Sequence, residues 1–108
     1  MIEENYRDYS IQLGRNAREN DSLVESASPE DYWIHLSNFP SGHAIVSNPL
    51  NSRVPVKVLK HAAYMVKQHS KYSSMKKLEC DVTKIKYITR TVRKGEVSLS
   101  KILRTIKV

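Results

Sequence analysis

Apolar and polar residues alternate along several short stretches of this chain, and that two-residue period predicts β-strands. In the first half of the sequence, strand-like patterns cover Tyr9–Leu13, Tyr32–Leu36 and His43–Val46. The later stretches predicted as strands are Leu78–Tyr87, Val97–Leu99 and Ile106–Val108. Within Leu78–Tyr87 the apolar residues change phase, so a bulge or bend is expected near Thr83.

Two helices are predicted, each from a different signal. The first covers about Ala17–Glu25, because Asn16 and Glu19 have the spacing of a capping box. The second covers Pro55–His69, since proline suits the first turn of a helix. Its buried face is an apolar stripe whose members are three, four and seven positions apart, namely Leu59, Ala62, Ala63 and Val66.

Strands outnumber helices, and most connections between them are too short for the crossover that parallel strands require. The sequence therefore predicts an α+β fold: a single domain with a largely antiparallel sheet of about six strands, one long helix and one short helix. A length of 108 residues fits one domain. Residues 1–8 are expected to form a loose N-terminal lead-in, and residues 9–108 the folded domain.

Positive charge is concentrated in the second half of the sequence. Residues 1–52 contain 3 Lys and Arg against 8 Asp and Glu, a balance of −5. Residues 53–108 contain 15 against 3, a balance of +12, which gives the formal net charge of +7. Such a concentrated excess of cations predicts a surface that binds a polyanion, with nucleic acid as the first class of partner.

The cysteine and apolar content of the chain excludes some kinds of site and indicates a cellular compartment. Cys80 is the only cysteine, which excludes an internal disulfide and a four-cysteine zinc site. It is expected to be an inert thiol in the core. No apolar run approaches the length of a membrane span, so no membrane partner is expected. Without disulfides, a reducing compartment is the natural setting, and the cytoplasm is the expected location.

Three stretches supply cations that are expected to contact phosphates. On the helix at Pro55–His69, a second stripe carries lysines and one aromatic ring: Lys57, Lys60, Tyr64, Lys67 and Lys71. The start of the first helix adds Arg15, and Arg18 adds charge nearby, although a capped helix with solvated arginines explains this local pattern equally. A turn that ends at Gly95 adds three more cations, Arg90, Arg93 and Lys94. These side chains supply reach and charge for phosphates, and a tyrosine ring can stack on a base or sugar.

The strand, loop and strand at residues 31–46 form the first candidate site. Trp33 and His35 share one face of the predicted strand, and His43 faces them if the two strands pair. The segment also holds the only tryptophan and two of the four histidines of the chain. One tryptophan and two histidines beside a glycine-bearing loop are more than a generic core needs.

Three other interpretations of these residues stay open. A zinc site would use His35 and His43 together with Asp31 or Cys80. A metal-independent ribonuclease would use the two histidines as general acid and base. A basic protein-interaction module would present the cations to an acidic protein or an anionic membrane.

Three ordered segments of the chain resemble the NFACT-R family, the predicted RNA-binding domain of ribosome-quality-control factors of the NEMF and RqcH type. The segments are Gly14–Asp21, Asp31–Leu36 and Pro40–Val46. The residues that match the family's motif positions are Arg15, Asn16, Asn20, Trp33, His35, Gly42 and His43. Two positions depart from the usual pattern: Ser41-Gly42 stands where the family has Gly-Ser, and Lys94 stands where a proline is usual.

The resemblance implies an RNA-binding module that contacts tRNA or ribosomal RNA, notably tRNA on a stalled large ribosomal subunit, in ribosome quality control. From the residues themselves, with one cysteine and no acidic cluster beside the two histidines, no catalysis, cofactor or metal is expected. The phosphate contacts would come from Arg15, Lys57, Lys60, Lys67, Arg90, Arg93 and Lys94. The nucleic-acid-binding set also includes Trp33 and a polar notch of Asn16, Asn20, His35 and His43, which takes a nucleotide or orders the loops. The large N-terminal domain and coiled coils of those factors are missing here, so a stand-alone version is expected.

Overall fold

The computed structural model describes residues 1–108 and contains two α-helices, eight β-strands and one 3₁₀ turn. The helices are α1 (Ala17–Ser26) and α2 (Val56–Gln68). The strands are β1 (Ile2–Tyr6), β2 (Tyr9–Leu13), β3 (Tyr32–Leu36), β4 (Ala44–Val46), β5 (Glu79–Lys84), β6 (Ile88–Arg90), β7 (Val97–Leu99) and β8 (Arg104–Lys107). Neither helix has the length and apolar content that would let it span a membrane.

Six strands form one sheet in the order β1-β2-β4-β3-β5-β8, and every neighbouring pair in it is antiparallel. β6 and β7 form a separate antiparallel hairpin. The prediction of an α+β domain with a six-stranded antiparallel sheet and two helices is therefore confirmed.

The sheet has a core on each face, because successive residues of a strand point to opposite sides. On one face α2 packs over a 17-residue cluster that includes Ile34, Leu36 and Val82. On the other face Trp33 and Ile45 pack with residues of α1 and of the β6–β7 hairpin. We call this second side the cleft face, and it positions the candidate site.

The capping box predicted for α1 is present in a shifted form. The side chain of Asn16 accepts a hydrogen bond from the backbone N–H of Glu19 at 2.9 Å. The Glu19 carboxylate in turn accepts from the backbone N–H of Arg15, also at 2.9 Å. The first bond satisfies a donor that helix geometry leaves free at this end, and the second ties the residue before the N-cap to the first turn. The helix begins at Ala17 as predicted.

The prediction of a loose lead-in at residues 1–8 is wrong. Residues 2–6 form β1, an edge strand that pairs along its whole length with β2. Tyr6 stacks on the ring of His61 at 4.0 Å between centroids, and Glu4 lies 2.9 Å from His61 Nε2. An edge strand exposes one backbone edge and much of its surface, so its polar composition carries no clear alternation.

The single long strand predicted at Leu78–Tyr87 is also wrong, because the chain leaves the main sheet at this point. β5 ends at Lys84, a 3₁₀ turn covers Ile85–Tyr87, and β6 then pairs with β7 in the separate hairpin. The phase change seen in the sequence therefore marks an exit from the sheet, and not a bulge within one strand.

Candidate nucleic-acid interface

Trp33, His35 and His43 meet on the cleft face. The Trp33 and His35 rings are nearly parallel, 11° apart in plane, with centroids 5.5 Å apart. His43 stands edge-on to both rings, with centroids 5.2 Å from each. The convergence expected from the strand, loop and strand is therefore present.

Alternation along β3 explains why Trp33 and His35 share a face, and a tight junction places His43 beside them. The His43 backbone N–H donates to the side-chain oxygen of Asn20 at 3.0 Å, and its carbonyl accepts from the N–H of Gly14 at 3.0 Å. A methyl group on Gly42 would overlap the carbonyl oxygen of Gly14. The loop can approach β2 this closely only because residue 42 has no side chain.

The β6–β7 hairpin forms the opposite wall of the site. Its turn residue Gly95 has a φ of +77° and lies so close to α1 that a Cβ there would be 2.7 Å from the Cα of Ala17. The Gly95 N–H donates to the Asp21 carboxylate at 3.0 Å. These contacts hold the hairpin turn, which carries Arg93 and Lys94, against the first turn of α1, which carries Arg18.

Between the two walls lies a cleft of about 410 Å³. The three rings form one side of it, and the other lining residues include Ser37, Asp81, Lys94, Gly95 and Glu96. A volume of this size lies within the range of pockets that hold small organic groups.

Burial keeps the two imidazoles of the cleft uncharged. It lowers the pKa of His43 from 6.5 to about 3, helped by the neighbouring His35. It also lowers the pKa of His35, against an opposing effect of a backbone hydrogen bond and of the Asp81 charge. Both rings are therefore neutral at physiological pH and offer stacking surfaces and hydrogen-bonding nitrogens in place of positive charge.

The side chains of Asn16 and Asn20 stabilise the backbone around the site and are not free to contact a ligand. Asn16 caps α1, and Asn20, which is buried, holds the backbone of His43. Of the two roles predicted for the polar notch, the ordering of the loops is therefore the one that these asparagines perform. The two histidines, in contrast, line the cleft itself.

The predicted cations are divided between the two sides of the sheet. Lys94 lines the cleft, Arg90 and Arg93 belong to the same hairpin, and Arg15 precedes α1. Arg15 and Arg90 form exposed ion pairs with Glu19 and Glu25. The second set lies on α2, across the sheet from the cleft. We call its exposed members the α2 stripe: Lys57, Lys60 and Tyr64. Lys71, also exposed, lies in the turn after α2 ends.

Lys67 does not belong to the α2 stripe, and its prediction as a phosphate contact is wrong. The residue is 8% exposed, and its ammonium group donates to the backbone carbonyls of Val108 and Lys76 at 3.2 and 3.4 Å. It fastens the end of α2 to the chain that follows. Its ammonium is therefore used within the protein.

Sequence reasoning missed Asp81 and Glu96, the two carboxylates of the cleft. Asp81 lies opposite His35 in the β3–β5 register, and its Oδ1 accepts from the Ser37 hydroxyl at 2.8 Å. A signal for Asp81 was available, because it is the polar residue between Cys80 and Val82 and must point away from the α2 core. Nothing local in the sequence connects Glu96 to the cleft.

The zinc set considered from the sequence is not assembled. No group of three or more histidine, cysteine, aspartate or glutamate side chains is arranged to hold a metal ion. Cys80 is buried in the α2 core, on the opposite side of the sheet from the histidines, and burial raises the pKa of its thiol to about 12. The Asp31 carboxylate is occupied by backbone N–H groups of Ser28 and Asn48.

An α+β domain with aromatic and imidazole rings in a cleft, flanked by cations, has the features of a nucleic-acid-binding domain. The chain belongs to a family of this class: the model of the NFACT protein RNA-binding domain matches residues 2–100. This match covers nearly the whole chain, including β1, and confirms the resemblance noted in the sequence. Family membership supports an RNA-binding role, with RNA as the partner.

Curated relatives cover part of the chain. Coiled-coil domain-containing protein 25 from Mus musculus and its counterpart from Bos taurus are each 31% identical over 65 residues. These matches cover 57% of this chain and 31% of each relative, so the chain spans about a third of the length of the curated relatives it matches.

A solved structure shares the fold. It is that of the C-terminal part of the fibronectin/fibrinogen-binding protein from Streptococcus suis, with a TM-score of 0.83 and 22% identity. The match covers 93% of this chain and 40% of that one.

Proposed function

We propose that this domain binds tRNA or ribosomal RNA through the cleft face, in the cytoplasm and in the context of ribosome quality control. The observation that carries the proposal is that Lys94 lines a cleft of neutral rings, with Arg93 beside it in the hairpin turn and Arg18 in the turn of α1 that Gly95 contacts. None of these three cations has a carboxylate partner. Cations at a rim suit phosphates, and rings behind them suit bases that are not paired. Family membership supports RNA as the ligand.

We propose binding without catalysis. A histidine pair that cleaves RNA needs one protonated and one neutral ring near the working pH, whereas the pKa values of His35 and His43 are both lowered. The two rings are also in edge-to-face contact, with centroids 5.2 Å apart, so no phosphodiester fits between them. Labelled tRNA incubated with the protein between pH 5 and 8 should stay intact.

The experiment that tests the binding face compares two double charge reversals. Arg93→Glu with Lys94→Glu alters the cleft rim, and Lys57→Glu with Lys60→Glu alters the α2 stripe by the same charge. Because all four side chains are exposed, both proteins should fold like the wild type by circular dichroism.

Affinity for labelled tRNA at low salt should fall by about tenfold or more in the rim variant, since each reversal removes one phosphate attraction and adds one repulsion. The α2 variant should stay within about threefold of the wild type. The opposite ranking would move the RNA to the α2 side, and equal affinity in all three proteins would reject both surfaces.

A further inference from the structure

Two carboxylates line the same cleft as the rings, which is unusual for a site that meets a polyanion. The Oδ1 of Asp81 accepts from Ser37 at 2.8 Å, while Oδ2 has no hydrogen bond from the protein. Glu96 forms no ion pair, and its exposed side chain lies at the edge of the cleft. A phosphate inside the cleft would face these two negative charges, and Lys94 is the one cation among the lining residues.

Phosphates therefore belong at the cationic rim, and a different part of the nucleotide belongs inside. Of the three rings, that of His35 is partly exposed, and its surface suits a flat aromatic group, while Trp33 and His43 are buried behind it. The free Asp81 oxygen suits a group that donates hydrogen bonds. A nucleobase that has left its pairing partner meets both requirements.

Two polar atoms at the rings have no hydrogen-bond partner within the protein, namely Trp33 Nε1 and His43 Nδ1. Trp33 is 2% exposed and His43 is 4% exposed. Buried polar atoms in native proteins almost always have partners, so a pair of exceptions beside one cleft points to a ligand with polar atoms of its own.

Resting on the proposed function, we propose that the cleft holds one unpaired guanine of the bound RNA, with the Asp81 carboxylate accepting from the guanine N1–H and N2–H groups. Guanine is the base that presents two donors side by side on its pairing edge. Adenine and cytosine each place an acceptor nitrogen beside their amino group, and uracil has one N–H between two carbonyls. Each of those three edges would turn at least one acceptor toward the carboxylate.

Trp33 supplies the probe, because it is the only tryptophan in the chain and lies against the cleft. Its fluorescence is followed as the protein is titrated with hexauridylate and with hexamers that carry one central guanosine, adenosine, cytidine or inosine. The guanosine hexamer should bind about tenfold tighter than hexauridylate, as expected for a bidentate contact. Inosine lacks the N2 amino group and should lose most of that gain.

Asp81→Asn keeps an oxygen for the Ser37 hydroxyl but replaces the second acceptor with a donor. It should bring all the hexamers within about twofold of one another. Glu96→Gln removes the same charge from the same cleft and should keep the guanosine preference, which makes it the matched control. The inosine comparison needs no protein variant, so it decides the question even if Asp81→Asn does not fold.

Binding of full-length tRNA is measured in parallel, so that the two proposals fail separately. Tight tRNA binding with equal affinity for all hexamers would overturn the guanine assignment and leave the proposed function standing. A guanosine preference without tRNA binding would support the cleft and reject tRNA as the ligand. A guanosine preference that survives Asp81→Asn would overturn the role of that carboxylate.

Discussion

His43 stays uncharged because its ring is enclosed by Trp33, His35 and the loop that Asn20 holds. Its pKa is about 3 in the folded protein, against 6.5 without burial. Between these two values the unfolded chain binds a proton that the folded protein does not. Folding stability is therefore fully present above about pH 6.5 and falls as the pH drops toward 3.

The expected loss from this one group is at most about 1.4 kcal/mol for each pH unit below 6. His43→Phe keeps a ring but cannot titrate, so the free energy of unfolding should depend less on pH in this variant. Urea unfolding at pH 7, 6 and 5 gives the measurement, and His69→Phe, at an exposed histidine, is the control. Equal pH dependence in His43→Phe and the wild type would contradict the assignment.

Lys67 illustrates how much a single side chain depends on tertiary contacts. Helical spacing places it in register with Lys57, Lys60 and Lys71, so its sequence context is that of an exposed cation. Only the fold brings the carbonyls of Lys76 and Val108 within reach of its ammonium group. These two carbonyls lie 9 and 41 positions further along the chain, so the local sequence does not show that they bind Lys67.

The β6–β7 hairpin is the element on which the second wall of the cleft depends. It is joined to α1 by the close approach of Gly95 to Ala17 and by the bond from the Gly95 N–H to Asp21. Its apolar residues Ile88, Val97 and Leu99 also pack against the smaller core. A change at Gly95 should therefore disturb the cleft more than the main sheet.

Gly95→Ala should lower the free energy of unfolding by at least about 1–2 kcal/mol, the usual cost of a left-handed backbone at a residue with a side chain. The overlap of the new Cβ with Ala17 adds to this cost. It should also weaken tRNA binding, because Arg93 and Lys94 move with the turn. Urea unfolding and tRNA titration of the same preparation measure both effects. Ser98→Ala, on an exposed position of β7, is the control, and wild-type tRNA affinity in Gly95→Ala would separate the hairpin from binding.

The elements that pack a regular apolar face against the main core were predictable from the sequence. β2, β3 and α2 each place a regular apolar set in the α2 core, so period alone identified them. β1 was missed because an edge strand exposes most of its side chains. The exit of the chain at Ile85–Tyr87 was missed because the pairing of β6 with β7 forms through contacts outside the local pattern.

One part of the candidate site was predictable from the sequence and another part was not. Trp33, His35 and His43 lie within one strand, loop and strand, so their convergence followed from local geometry. Asp81 lies on β5, 46 positions after His35, and reaches the cleft only through the register of β3 with β5. The opposite wall comes from the hairpin, still further along the chain. Because strand register cannot be read from the sequence alone, the sequence did not reveal that Asp81 and Glu96 line the cleft.

Across the whole molecule, the acidic half of the chain neutralises part of the basic half. Glu30 lies 2.8 and 2.9 Å from the ammonium groups of Lys84 and Lys86, and Glu25 lies 3.1 Å from Arg90. The net charge of +7 does not show which cations are paired with carboxylates and which are free to attract a phosphate. Exposed ion pairs are weak, yet each one lowers the local attraction for a phosphate.

Salt dependence can count the cations that act on RNA. Arg18, Arg93 and Lys94 are the rim cations without carboxylate partners, and each phosphate neutralised adds roughly 0.7–0.9 to the slope of log affinity against log salt. The wild type should therefore lose affinity for tRNA with a slope of about −2 to −3. Arg93→Gln with Lys94→Gln should reduce the magnitude of this slope by about 1.5.

Lys57→Gln with Lys60→Gln removes the same charge from the α2 stripe and should leave the slope unchanged. Neutral glutamine is used here because it deletes a contact without adding repulsion, so the change in slope counts phosphates directly. A slope near zero in the wild type would mean that tRNA affinity does not depend on the cations of either side. A slope reduced equally by both pairs would mean that the RNA reaches around the sheet and contacts both surfaces at once.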